Sequence, residues 1–261
     1  MILDDIVAKK KITLENSDYN FDISRVYDSV KNNAIPDFYN ALAKDGLSII
    51  GEVKKASPSR GVIKEDFNPV EIAKQYENAV DAISVLTEEH FFQGSPKYLE
   101  NIHKEVSLPL LRKDFIISPL QIFEARELGA SAVLLIAAVL NEKRVLKEFI
   151  NITHGLNMNA LVETHNEEEV KLALSAGARI VGINNRNLYD FSEDLNTTVK
   201  LSKLVPKDVL IVSESSIHTA DDIKAIKDTG VSAILVGESF MRCDNIVEKA
   251  EVFKNAYKCK N

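Results

Sequence analysis

From about residue 48 onward the chain repeats one motif eight times, a short β-branched run: LSIIGEV, AISVLTE, LPLLRKD, AVLLIAA, NALVETH, RIVGINN, VLIVSES and AILVGES. Centred on Gly51, Ser84, Leu111, Leu134, Leu161, Gly182, Ile211 and Leu235, the runs stand 33, 27, 23, 27, 21, 29 and 24 residues apart. Each interval has room for one strand, one helix and two short loops. The intervening segments PVEIAKQYENA, SPLQIFEARELGA, EEEVKLALSAGA and TADDIKAIKDTG place apolar residues at helical spacing, and several finish in glycine. The rhythm predicts eight parallel βα units. Closing them into an α/β fold of the (β/α)8 (TIM) barrel type removes both sheet edges and repeats one construction rule. A doubly wound open sheet is the alternative, but no GxGxxG fingerprint follows a strand.

The first 45 residues remain after the eight units are assigned. Helices are predicted over Ile2 to Ile12 and Asp22 to Asn32, with a shorter one after Pro36 in DFYNALAK. This helical extension is expected to pack over one barrel end and cover the mouth, so that residues 1–261 form a single domain. A frayed tail is the competing reading, because the first dozen residues are strongly polar.

Composition narrows the partners. With 32 Lys+Arg against 39 Asp+Glu the net charge is −7, which argues against general affinity for nucleic acid. The longest aliphatic run, Ala132 to Leu140, is far below a membrane-spanning length, and no leader-like segment opens the chain. A cytoplasmic location without a membrane partner is therefore expected. Cys243 and Cys259 make neither a disulfide framework nor a four-thiolate site, and the five histidines show no ligand spacing, so no metal is demanded. The oligomeric state stays open between monomer and homodimer.

Side chains two apart on a strand share a face, so Glu52 and Lys54 in GEVKKASPS both point inward at the end of the first barrel strand. A structural ion pair is one reading. The other is an active site, which barrels of this type assemble at the C-terminal strand ends. Lys113 ends the third run, Glu163 the fifth and Glu214 the seventh. Five charges converging from four strands are costly without a task, and such neighbours shift one another's proton affinities.

Asn184 and Arg186 lie two apart at the end of the sixth run. With the turns Ser215-Ser216 and Gly237-Glu238-Ser239 they place polar groups and free N–H donors where these barrels hold phosphate, although each glycine has a plain reading as a helix-entry turn. Glu238 would repel an anion if its side chain faced inward; an outward side chain leaves its N–H available. Phe91, Phe92 and Phe115 follow the second and third runs, either as packing or as an apolar wall for a planar ring.

The strings IIGEVKKASPSRG, LTEEHFFQGSPKYL, LPLLRKDFI, ALVETH, VGINNRNL, IVSESSI and ILVGESFM, spanning residues 49 to 241, closely resemble the indole-3-glycerol-phosphate synthase family. The helical extension is similar to that family's as well. The resemblance implies a lyase of tryptophan biosynthesis that closes 1-(2-carboxyphenylamino)-1-deoxyribulose 5-phosphate to indole-3-glycerol phosphate, carbon dioxide and water. It implies Lys113 as general acid, Glu163 as its acid/base partner, and Lys54 as a substrate contact with proton-transfer duty. Glu52, Asn184, Glu214 and Ser215 match positions that organise the lysines and the substrate hydroxyls, and Ser57 matches a substrate contact. Arg186, Ser216, Gly237, Glu238 and Ser239 match the phosphate side, and Phe91, Phe92 and Phe115 the walls of the anthranilate pocket. The implied partner is an anionic small molecule, with no cofactor. Two departures stand out: SESSI where many relatives have SESGI, and DFIIS where they have DFIID, the latter bearing on a helix cap.

Overall fold

A computed structural model describes residues 2–16, 22–187 and 191–258. Cys259 lies outside them. The eight β-branched runs form strands β1 (Ser48–Val53), β2 (Ala82–Leu86), β3 (Leu110–Lys113), β4 (Ala132–Ile136), β5 (Asn159–Thr164), β6 (Ile180–Asn184), β7 (Leu210–Glu214) and β8 (Ala233–Val236). All pair in parallel with their chain neighbours, and β8 pairs with β1 to close the barrel. Burial on both faces explains why the runs read as apolar blocks. Ile50, Leu111, Leu134, Leu161, Ile180, Val212 and Leu235 fill the barrel interior, while the intervening residues meet the surrounding helices.

The helices begin where the local sequence supplies a cap followed by proline. Asn68-Pro69 opens α4 (Pro69–Tyr76), Ser95-Pro96 opens α5 (Pro96–His103) and Ser118-Pro119 opens α6 (Pro119–Glu127). In each, a side-chain oxygen takes an orphan N–H and proline occupies a position whose N–H has no partner to lose. Ser118 completes a capping box with Gln121, so the departure at this position serves the helix start. Each βα loop thereby delivers its chain to the C-terminal rim of the barrel.

The extension is distributed along the barrel and not confined to one end. Its first helix, α1 (Ile2–Glu15), is helical through the polar segment read alternatively as a tail. Lys10 Nζ lies 2.7 Å from Asp114 Oδ1, just beyond β3, so α1 is held at the C-terminal rim. Helix α2 (Ile23–Asn32) descends the flank, where Tyr27 meets Phe123 of α6 edge to face at 5.7 Å. Helix α3 (Phe38–Leu42) then closes the opposite end: Phe38 and Leu42 are fully buried against Ile50, Ala82 and Ile180 inside the barrel. Chain entry into β1 dictates this, because α3 ends six residues before the strand begins at the N-terminal rim. Among the described residues no helix is long and apolar enough to cross a membrane.

Candidate active site

The inward residues of the strands change character toward the C-terminal rim, from aliphatic to charged. Above Leu111 comes Lys113, above Leu161 comes Glu163, above Val212 comes Glu214, and above Ile50 comes Glu52. Lys113 Nζ lies 2.9 Å from Glu163 Oε2 and also donates to Glu214 Oε2. Lys54 Nζ lies 2.5 Å from Glu52 Oε2. Asn184 Oδ1 accepts from Ser215 Oγ at 2.9 Å and from the Arg186 N–H at 3.0 Å. These side chains, with Ser57, Ser216, Gly237, Glu238 and Ser239, line one cavity.

Two glycines make space for the charges. A Cβ at Gly182 would meet Glu214 Oε1 at 2.2 Å, and one at Gly237 would meet Glu52 Oε2 at 2.3 Å. At both positions the carboxylate occupies the volume a side chain would take.

Electrostatics separates Glu163 from Glu214 across the lysine they share. Burial works against the Lys113 ammonium, but Glu163, Glu214 and Glu52 override it and hold the proton on more tightly than usual. Burial likewise opposes ionisation of Glu163, and Lys113 with His165 overrides it, keeping that carboxyl well below its ordinary range. Glu214 goes the other way. Burial raises it to about 7; Lys113 opposes the rise, and the nearby Glu163 and Glu52 add to it. One site therefore holds a carboxylate kept ionised beside a carboxyl poised near neutrality.

The ends of β6, β7 and β8 carry the remaining polar groups of the cavity, with Gly237 beside Lys54. Ser215 and Ser216 adopt φ of 64° and 61°, so Ser216 keeps the left-handed turn for which glycine is the easier residue. The Oγ atoms of Ser216 and Ser239 are buried, that of Ser239 without a hydrogen-bond partner and that of Ser216 beside Glu193. Glu238, first residue of α11 (Glu238–Met241), is held between Arg60 Nε at 3.3 Å and Arg242 Nε at 3.1 Å. Its charge is thus matched locally. Arg186 is already engaged, at 2.5 Å to both Ser59 Oγ and Glu193 Oε1.

Phe92 and Phe115 stand together on the cavity wall with ring centroids 6.1 Å apart, beside Leu86 and Ile136. Phe91 does not line the cavity. Glu88 collects the N–H groups of His90, Phe91 and Phe92, a turn too tight for adjacent aromatic rings to face one way.

Sequence reasoning missed four neighbours. Glu193 and Arg60 sit on loops with no periodic signal, and they meet Arg186 and Glu238 only through the fold. Asp114, on the cavity wall, joins Lys10 and Arg112. His165 follows Glu163 by two residues, so the alternation that located Lys54 from Glu52 also pointed to it; its Nε2 lies 3.4 Å from Glu163 Oε1.

Fold and site together define a class: a (β/α)8-barrel enzyme with acid–base groups gathered at the C-terminal strand ends. Solved barrels share the architecture at low identity. The 3-hexulose-6-phosphate synthase of Salmonella typhimurium superposes with TM-score 0.66 at 12% identity, covering 81% of this chain and 98% of that one. KGPDC from Streptococcus mutans gives 0.63 at 15%, covering 82% and 98%. These likenesses concern the fold alone.

The chain belongs to the indole-3-glycerol phosphate synthase family, whose sequence profile matches residues 3–253. It is 50% identical over 259 residues to the indole-3-glycerol phosphate synthase of Acetivibrio thermocellus, covering 97% of this chain and 99% of that protein. Against that of Thermoanaerobacter pseudethanolicus it is 46% identical over 254 residues, covering 97% of each.

Proposed function

We propose that this protein is an indole-3-glycerol-phosphate synthase, closing 1-(2-carboxyphenylamino)-1-deoxyribulose 5-phosphate to indole-3-glycerol phosphate with loss of carbon dioxide and water. The observation that carries the reading is the Lys113 ammonium held between Glu163 and Glu214 on the floor of a cavity whose rim carries the Ser215-Ser216 and Gly237-Glu238-Ser239 turns. The ring carbon bearing the carboxylate attacks the ribulose carbonyl, and Lys113 protonates the oxygen as it becomes an alkoxide. A lysine that binds its proton tightly suits this step, because an alkoxide is a strong enough base to take it. Carbon dioxide leaves from the same ring carbon, restoring the benzene ring. Glu163 then takes a proton from the former C1 methylene of the sugar while Lys54 protonates the departing hydroxyl, and loss of water completes the aromatic indole. The basicity of Glu163 rises once Lys113 has given up its charge, since that charge is the largest single influence opposing burial and holding the carboxyl ionised.

Lys54, oriented by Glu52, is assigned to the substrate carboxylate. The N–H groups of Gly237 to Ser239 and the Ser216 turn receive the phosphate, with Arg186 recruited from Glu193. Phe92 and Phe115 flank the anthranilate ring and exclude water. Residues 1–45 act as part of one barrel domain, α1 bordering the mouth. On its sparse cysteine content we assign the reaction to the cytoplasm.

The test is product identity. Incubation with the carboxyphenylamino-deoxyribulose phosphate should generate indole absorbance and release carbon dioxide in equal amounts. Folded protein that produces neither overturns the assignment, and a rearranged phospho-sugar without decarboxylation would indicate an isomerase instead.

A further inference from the structure

We propose that His165 is a positioning residue for this reaction: gripped by Glu169 on one side, it fixes the orientation and charge state of Glu163 on the other. The geometry is a line of alternating charges running outward from the floor, Lys113, Glu163, His165, Glu169. Lys113 takes Oε2 of Glu163 at 2.9 Å while His165 Nε2 faces Oε1 at 3.4 Å. The Lys113 contact is a hydrogen bond and the His165 contact an ion pair without hydrogen-bond geometry, so a cation faces each oxygen and rotation of the carboxylate would give up one of the two.

The far side of the ring is built with more contacts than a helix start requires. Asn166 caps α8 (Glu167–Ala176), accepting the Glu169 N–H at 2.9 Å. Glu169 Oε2 in turn accepts from the His165 N–H at 2.8 Å and lies 3.0 Å from His165 Nδ1, while Oε1 accepts from Asn166 Nδ2 at 2.7 Å. Backbone and ring of His165 are thus anchored by one carboxylate, which also fixes which ring nitrogen faces Glu163. The ring does not line the substrate cavity. It borders a second, polar cavity with Glu169, Asn184, Arg186 and Asp194, beneath Leu3 of α1. This placement makes it a support for Glu163 and not a substrate contact.

The charged groups around the pair are Lys113 from β3, Glu214 from β7, Glu52 from β1 and Glu169 from α8, with Arg186 and Asp194 across the second cavity. Burial disfavours the imidazolium, but Glu163 and Glu169 override it and raise His165 to about 10. The ring is therefore charged at neutral pH. Once Lys113 has protonated the substrate, His165 is the cation that remains beside Glu163, so the carboxylate keeps its place through the dehydration.

The experiment is 15N NMR of the histidine rings in the labelled full chain, with the His165 signals assigned by their loss in His165→Gln. Both ring nitrogens should be protonated at pH 7.5, and Glu163→Gln should lower the titration midpoint by about one pH unit or more. A neutral ring at pH 7.5, or a midpoint unmoved in Glu163→Gln, overturns the proposal. In steady-state kinetics His165→Gln should lower kcat about tenfold with KM within about twofold; an unchanged kcat likewise overturns it. Should His165→Gln fail to fold, Glu169→Gln is the substitute: it leaves the ring charged by Glu163 alone and should lower the midpoint and kcat together, and a change in neither refutes the anchoring. The inference rests on the proposed activity, and the two fail differently: wild type without product refutes the activity, whereas an active wild type matched by His165→Gln refutes only the role of His165.

Discussion

Gly182→Ala perturbs the site without touching a charge. The residue sits mid-strand in β6 with its inward face against Glu214, and an added Cβ would lie 2.2 Å from Glu214 Oε1 and 3.3 Å from Leu161 Cδ1. Ordinary contact begins near 3.4 Å, so the carboxylate must retreat by about 1.2 Å. Glu214 is almost fully buried, and its other oxygen is bonded to Lys113, so the retreat either drags the ammonium from Glu163 or breaks the pair. Overpacking of this kind costs about 1–3 kcal/mol of stability. A misplacement near 1 Å among reacting groups costs turnover on the order of a hundredfold. The assay pairs urea unfolding with initial rates of indole formation. Gly230→Ala is the control: φ is 79° and nothing lies within 4 Å of the new methyl, so about 1 kcal/mol of backbone strain should leave kcat intact. Combining Gly182→Ala with Glu214→Asp, whose shorter side chain withdraws the carboxylate, should recover stability but not activity. A Gly182→Ala protein with wild-type kcat would refute the claim that the missing side chain makes room for a working carboxylate.

Lys113→Met should fold yet lose at least about a hundredfold in turnover, and Glu163→Gln should also lower kcat with the fold retained; near-normal rates in either remove that residue from the proton transfers. At the rim, Asp114→Asn should destabilise by about 3 kcal/mol and Lys10→Met by nearer 2, because loss of the carboxylate leaves the buried Lys10 ammonium without this partner while Arg112 keeps Glu124, Thr87 and the Gln121 carbonyl, whereas loss of Lys10 leaves Asp114 paired with Arg112 and Thr87. Urea unfolding ranks the two, and the reverse order sinks the reasoning. Glu214 also makes stability depend on pH. Its folded value, about 7, lies above the ordinary 4.5, so the folded protein holds an extra proton between them. The stability it contributes is complete below 4.5 and is lost as pH rises through 7. Glu163, held low, runs oppositely: its contribution is present above 4.5 and lost as pH falls toward its own value. Wild type should therefore lose stability relative to Glu214→Gln between about pH 5 and 7.5; parallel urea midpoints across that range would contradict the raised value.

The barrel was legible because its signal is local and repeated: each of the eight predicted centres falls within its strand. Alternation then carried the reading from fold to site, since it fixes which residue of a strand faces inward, and it brought Lys113, Glu163, Glu214, Glu52 and Asn184 to one cavity. It failed where backbone leaves the sheet. The extension divides between α1 at one rim and α3 at the other because packing against finished barrel ends decides its path. Phe91 differs from Phe92 through one carboxylate that gathers three N–H groups. Glu193 and Arg60 meet their partners across distances that no sequence spacing encodes.

Whole-chain charge was the least informative quantity, and the site shows why. An enzyme at −7 must attract a substrate carrying a carboxylate and a phosphate. Around the floor, Lys54, Lys113 and His165 face Glu52, Glu163, Glu214 and Glu169, which leaves one negative charge too many when all are ionised. The excess is relieved at Glu214, the carboxyl buried most deeply among its own kind, which holds a proton up to about pH 7 and makes the floor neutral. In the proposed reaction, attraction for the anion falls to groups at the rim that the global count cannot see: backbone N–H donors of the Gly237 turn, the buried Ser216 and Ser239 hydroxyls, and Arg186, paired in this structure with Glu193. Selectivity for an anion here is a matter of which carboxylates are paired or protonated, and not of how many the chain contains.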